Sequence, residues 1–199
     1  MKTLVIIRHG RKDEDGTLVD KDQLAEIENI GIAGLNDLVK KHQGLVIFHL
    51  GTAIERTGQT IKAYERHLDI SNAINSFGGY LPADARLGSN KIFKEFSENP
   101  EIVKEAERTT WFNAFRRYNP KFIEKIQINM LDAITDIFSR VDDGSLVISA
   151  GHTPMIEWLA LGIDENDHKI SCKIKLKELT GFIFTEDKGR IQVTRTIGF

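Results

Sequence analysis

The run Leu4-Val5-Ile6-Ile7, halted at Arg8-His9-Gly10, most narrows what this chain can fold into. Four apolar residues in succession leave a strand no polar face, so it must be covered on both sides, as strands of parallel sheets are. Leu45-Val46-Ile47-Phe48 and Leu146-Val147-Ile148-Ser149-Ala150 are runs of the same kind. They too stop at polar and small residues, His49-Leu50-Gly51-Thr52 in one case and Gly151-His152 in the other. In open α/β sheets, ligands bind beyond the carboxyl ends of the strands. The pattern therefore predicts a shared sheet edge to which the chain delivers arginines, histidines and glycines.

Helical patterns separate these runs. Ile32, Leu35, Leu38 and Val39 mark one apolar face of a helix from Gly31 to His42, and Ile61, Tyr64 and Leu68 mark another from Ile54 to Leu68. Between Asn72 and Asn90, Gly78-Gly79, Pro82 and Gly88 break any long element, leaving loop and a short strand near Ala73 to Phe77. Asn99-Pro100 and Asn119-Pro120 each set a capping side chain before a proline at the first helical position. The two helices they open predict a hairpin lobe over 98–141, with Trp111, Phe112, Phe115 and Tyr118 packing inside it. Thr153-Pro154 caps a further helix, Met155 to Leu161.

The C-terminal part changes character. Cys172, Ile174 and Leu176 alternate with Lys173, Lys175 and Lys177, the period of a half-exposed strand whose lysines discourage edge pairing. Phe182-Ile183-Phe184 and Ile191 to Thr196, joined through Asp187-Lys188-Gly189, predict a hairpin. The expected architecture is one α/β domain over 1–199. It is a three-layer α/β/α sandwich with a mostly parallel central sheet and an antiparallel C-terminal edge.

Charge and composition remove several function classes. A net charge of -2 and the absence of a basic run argue against nucleic acid as a partner. The apolar run at the N-terminus lasts four residues, and no segment approaches the roughly 20 that cross a bilayer. The single cysteine, Cys172, rules out an intrachain disulfide and a thiolate metal cluster. A cytoplasmic setting with no membrane partner is the expectation.

Arginine's planar fork matches phosphate oxygens and keeps its charge at any working pH. An unprotonated imidazole can attack phosphorus and hold the group covalently. Arg8, His9, Arg56 and His152 together therefore suit a phosphoryl group, and backbone N–H donors at the helix after Thr153-Pro154 suit its negative charge. His49 stands at the same kind of strand end, whereas His42, His67 and His168 read as surface residues.

At these residues the chain resembles the histidine phosphatase superfamily, the phosphoglycerate mutase-like proteins. Arg8-His9-Gly10 after an apolar strand is similar to the family's signature triplet, and Ala150-Gly151-His152 opening a helix resembles a later motif. The segment from Thr52 to Thr60 resembles the family's serine-proline-leucine-x-arginine motif and the glutamine-threonine that follows it. Thr52 and Ala53 replace serine and proline. The resemblance implies a phosphoglycerate mutase-like fold and a phosphatase working through phosphohistidine on His9. Arg8, Arg56 and His152 would hold the phosphoryl group with no metal and no cofactor, and Thr153, at the helix start beside His152, is expected to join them. It implies a small phosphorylated substrate or a phosphoprotein as partner.

The family's leaving-group acid falls in a leucine-x-glutamate string, where this chain has Leu87-Gly88-Ser89. A serine is no carboxylic acid, so Asp84 is the nearest substitute and Glu95 an alternative. Without an acid, substrates with good leaving groups are favoured and mutase chemistry is disfavoured. Two further readings follow: a protein phosphohistidine phosphatase, or a phospho-ligand binding protein without turnover.

Overall fold

The computed structural model describes residues 1–10, 32–68, 77–164 and 176–197. The elements in chain order are β1 (Lys2–Arg8), α1 (Ile32–Lys41), β2 (Val46–His49), α2 (Glu55–His67) and β3 (Phe77–Leu81). A single 3-10 turn, Ala85–Leu87, precedes α3 (Asn90–Ser97), α4 (Pro100–Arg108), α5 (Trp111–Tyr118) and α6 (Pro120–Ser139). The chain then runs through β4 (Leu146–Gly151), α7 (Met155–Ile163), β5 (Gly181–Asp187) and β6 (Arg190–Ile197).

The six strands form one sheet in the order β3-β2-β4-β1-β5-β6. β3, β2, β4 and β1 run parallel, while β5 and β6 add the antiparallel edge. Because side chains alternate along a strand, Leu4 and Ile6 face one layer and Val5 and Ile7 the other. Leu4, Ile6, Val147 and Phe184 pack with α6 and α7; Val5, Ile7, Phe48 and Ile148 pack with α1 and α2. This is the three-layer α/β arrangement expected from the apolar runs.

Register aligns the strand ends. Arg8 lies opposite Gly151, and His49 opposite Ser149. The His9 amide continues the ladder by donating to the Gly151 carbonyl at 3.0 Å. His9 and His152 therefore leave neighbouring strands side by side.

Several local details depart from the sequence reading. The expected helix after Pro100 is two, because Thr110 caps a new start: its hydroxyl accepts the Asn113 amide at 3.2 Å. Threonines bond readily to nearby backbone and so interrupt helices they could in principle continue. Asn99 caps α4 as expected, accepting the Glu101 amide at 3.0 Å, whereas the Asn119 side chain makes no cap bond. α3 is capped by Ser89, which accepts the Ile92 amide at 3.4 Å. The expected strand near Ala73 starts at Phe77, and its residues before 77 lie outside those described, as do the alternating stretch Cys172–Lys175 and His168.

Phe115 joins the lobe to the sheet layer: its ring lies 4.9 Å from that of Phe122 and 5.3 Å from that of Trp158. Phe115→Ala empties a fully buried position, and such truncations cost about 3–5 kcal/mol. A drop of that size in unfolding free energy, read from urea titration, is the expected result.

Candidate active site

The site is built where β1 ends. His9 is 8% exposed, and its Nδ1 bonds to the Gly10 carbonyl. A carbonyl only accepts, so Nδ1 carries the ring proton and Nε2 presents its lone pair. Arg56 donates from Nε to that Nε2 at 3.1 Å. The Gly10 amide donates to Thr60 Oγ1 at 3.1 Å, and that hydroxyl donates to the Arg56 carbonyl at 2.8 Å. One threonine thus ties the end of β1 to the first turn of α2.

Arg56 reaches the site because the chain turns tightly between β2 and α2. Gly51 sits at φ +77°, and a Cβ there would fall 2.4 Å from the Ala150 carbonyl oxygen, so only glycine fits. Thr57 holds the turn, its hydroxyl accepting the Thr52 amide at 3.0 Å and donating to the Ile54 carbonyl at 2.8 Å.

His152 faces the same guanidinium. Arg56 reaches its Nδ1 at 3.3 Å, and Thr52 Oγ1 lies 3.0 Å from its Nε2. Guanidinium only donates, so Nδ1 is the acceptor and Nε2–H donates to Thr52. The His9 and His152 rings meet edge to face at 4.7 Å between centroids. Gly88 allows this packing, since a Cβ there would come within 3.1 Å of His152 Cδ2 and 3.0 Å of Thr52 Cγ2. Arg56 therefore bridges two imidazole lone pairs aimed at one spot.

Arg8 stands beside this trio with its side chain turned to the C-terminal part of the chain. It donates to the Leu176 carbonyl at 2.7 Å and pairs with Glu178 at 2.7 Å, while its buried Nε has no partner among the described residues. The other candidates are engaged elsewhere. Asp84 accepts from the Arg86 amide at 2.8 Å and from its guanidinium at 2.6 Å, and Arg86 also pairs with Asp136 at 2.6 Å. Burial pushes the Asp84 carboxyl upward, but the bonds and charge of Arg86 outweigh it and hold the group below the usual range. A proton donor at Asp84 has no support in that geometry. The Thr153 hydroxyl donates to Glu157 at 2.8 Å instead of capping α7. Glu95 is exposed on α3, and the Ser89 hydroxyl is spent on its cap.

Burial governs the electrostatics. It lowers His9 to about 4 despite the Gly10 bond, with Arg56 and Arg8 adding to the effect. Burial, then the neighbouring His9 ring and both arginines, lower His152 to about 2. Both rings are uncharged at neutral pH, and the His9 Nε2 lone pair accepts from the fixed cation Arg56. Among the described residues no group of three His, Cys, Asp or Glu side chains is placed to hold a metal ion. No helix of the described residues is long and apolar enough to cross a membrane.

Three residues escaped the sequence reading. His49 was expected only at a strand end; it is buried at 2% exposure, its Nδ1 accepting the Gly51 amide at 3.0 Å. Glu157, 3% exposed, accepts from Thr153 and from the Leu176 amide at 3.0 Å. A lone acid in the apolar stretch Met155–Leu161 was the signal for it. Glu178 carried no signal at all.

No protein-family model matches the chain, and no curated protein matches it. Solved structures do. YhfR from Bacillus stearothermophilus superposes with a TM-score of 0.62 at 16% identity, over 97% of this chain and 95% of that one. A mutant phosphoserine phosphatase from Entamoeba histolytica, in complex with phosphoserine, gives 0.57 at 15% identity over 99% and 97%. Phosphoglycerate mutase from Bacillus anthracis gives 0.54 at 14% identity over 98% and 92%. The chain has the fold of these proteins.

Proposed function

We propose that this chain, with its phosphoglycerate mutase-like fold, hydrolyses phosphomonoesters through a phosphohistidine on His9. The observation that carries the reading is the buried, unprotonated His9 Nε2 held 3.1 Å from the Arg56 guanidinium, with His152 on the other side of it. A phosphoryl group entering this spot displaces the Arg56–imidazole bonds and takes the guanidinium donors for its own oxygens. Nε2 then attacks phosphorus in line, the P–O bond to the alcohol breaks, and water later releases phosphate from the ring. Arg8 and Arg56 neutralise the developing charge, so the reaction needs no metal. Thr153, freed from Glu157, adds a donor to the same oxygens. Substrates are small phosphorylated molecules or phosphoproteins. The reaction is read as hydrolysis rather than as a mutase reaction.

The test is p-nitrophenyl phosphate turnover in the presence of chelator. Release of nitrophenol unaffected by chelation supports the reading. A chain that binds vanadate or phosphate yet never turns over is a binding protein, and the proposal is then wrong.

Thr52→Val removes the hydroxyl 3.0 Å from His152 Nε2 while keeping the side chain's shape. The ring loses the acceptor that fixes its tautomer. Misplacement of this kind costs up to about 10²-fold in rate. Lower kcat/KM is expected, with a modest drop in melting temperature because the Ile54 amide loses its acceptor too; serine at this position restores both.

A further inference from the structure

The proposed reaction leaves one chemical demand unmet: the departing alkoxide must gain a proton, and the attacking water must lose one. Ser89 caps α3, and Asp84 is locked to Arg86. We propose that Glu178 meets this demand as the acid and base of the site, a role that rests on the phosphatase reading above.

Three observations place it there. Its Oε1 lies 2.7 Å from Arg8 NH2, on the guanidinium adjoining His9. Its negative charge favours the protonated His9 ring, the smallest of the influences acting on that group. Finally, its position is fixed by backbone. The Arg8 amide donates to the Thr180 carbonyl at 2.7 Å, and the Leu179 amide donates to the Arg8 carbonyl at 3.0 Å. The 3.0 Å bond from the Leu176 amide to buried Glu157 clamps the other side of the same turn. A half-exposed carboxylate is thus held against the arginine that precedes His9, within reach of solvent.

Substrate binding supplies the proton. Arg8 now serves one anion, Glu178. A phosphomonoester arriving as its monoanion brings one proton with it to the same guanidinium. The ester proton passes to Glu178. His9 Nε2 then bonds to phosphorus, the P–O bond breaks, and the Glu178 proton goes to the alkoxide, leaving alcohol and carboxylate. In the second step water gives a proton to Glu178 as its oxygen bonds to phosphorus. The P–N bond breaks with its electron pair returning to Nε2. Glu178 finally returns the proton to the phosphate dianion, and every proton is accounted for.

Glu178→Gln separates this role from a merely structural one. The amide keeps an oxygen for Arg8 but cannot supply a proton. A general acid contributes about 10²–10⁴-fold. For an alkyl phosphate such as glycerol 3-phosphate, the variant's first step should fall at least 10²-fold. For p-nitrophenyl phosphate, whose leaving group needs no proton, the nitrophenol burst should stay within about threefold of wild type. Steady-state turnover should then stall with an acid-labile phosphoryl group on His9. Equal slowing of both substrates means that Glu178 only positions Arg8, and unchanged turnover of both means that it does nothing; either overturns the proposal while the phosphatase reading stands. Wild-type protein inactive on both substrates defeats the phosphatase reading itself, and this role falls with it.

Discussion

His9→Ala is expected to remove at least about 10⁴-fold of the rate with p-nitrophenyl phosphate, an effect nothing else in the site can offset. The covalent route ends with the nucleophile. What remains is charge stabilisation by Arg8, Arg56 and His152, and residual catalysis by a pre-formed electrostatic site is small beside the intact assembly. The variant should nevertheless bind vanadate. The three cationic or imidazole partners stay in place, and Arg56, relieved of its bond to His9 Nε2, has more donors free for the anion. The measurement pairs nitrophenol release with the vanadate-induced rise in melting temperature. Turnover within tenfold of wild type would show that another group attacks phosphorus. Retained binding with lost turnover identifies His9 as the nucleophile rather than as part of the cradle.

The parts of this arrangement that were legible in the sequence are those written in consecutive residues. Four-residue apolar runs bounded by turn residues read as strands covered on both sides, and the residues that end them come to the sheet edge; His9 and His152 follow from that, whereas Arg56, in the first turn of α2, was legible only through the motif that Thr52 to Thr60 resembles. What could not be read depends on contacts between distant segments. Asp84 looked like an acid because the chain offers a carboxylate near the right place. Arg86, two residues on, holds it through a geometry that only the Ala85–Leu87 turn creates. For Arg8, Glu178 and the Leu176 carbonyl, both more than a hundred and sixty positions away, decide where the guanidinium points, and no local pattern announces either. The split of the expected helix at Thr109-Thr110 is a local competition between two acceptable conformations, settled by the cap that Thr110 makes.

The fold should be unusually sensitive to mild acid, and the site is the cause. His9, His49 and His152 are all buried uncharged, with burial the leading reason in each; His9 and His49 are pushed down to about 4 and His152 to about 2. In the unfolded chain each ring takes up a proton near pH 6.5. As pH falls from 6.5 towards 4, the unfolded state therefore binds more protons than the folded one, and stability declines by up to about 1.4 kcal/mol per pH unit for each ring. Over that window the loss is roughly 3 kcal/mol per imidazole, and three together rival the 5–15 kcal/mol of an entire domain. Glu157 works the other way: burial raises its carboxyl above the usual value, so the folded state gains a proton there first, but it is one group against three. Urea unfolding in phosphate-free buffer between pH 7 and pH 4.5 should show the midpoint falling steeply. His152→Asn keeps a polar side chain beside Thr52 and Arg56 while deleting one titrating ring, and should flatten the slope by about 1.4 kcal/mol per pH unit. A stability that is level across this range would mean that the folded rings take up protons as the unfolded ones do, and that burial does not hold them uncharged in mild acid.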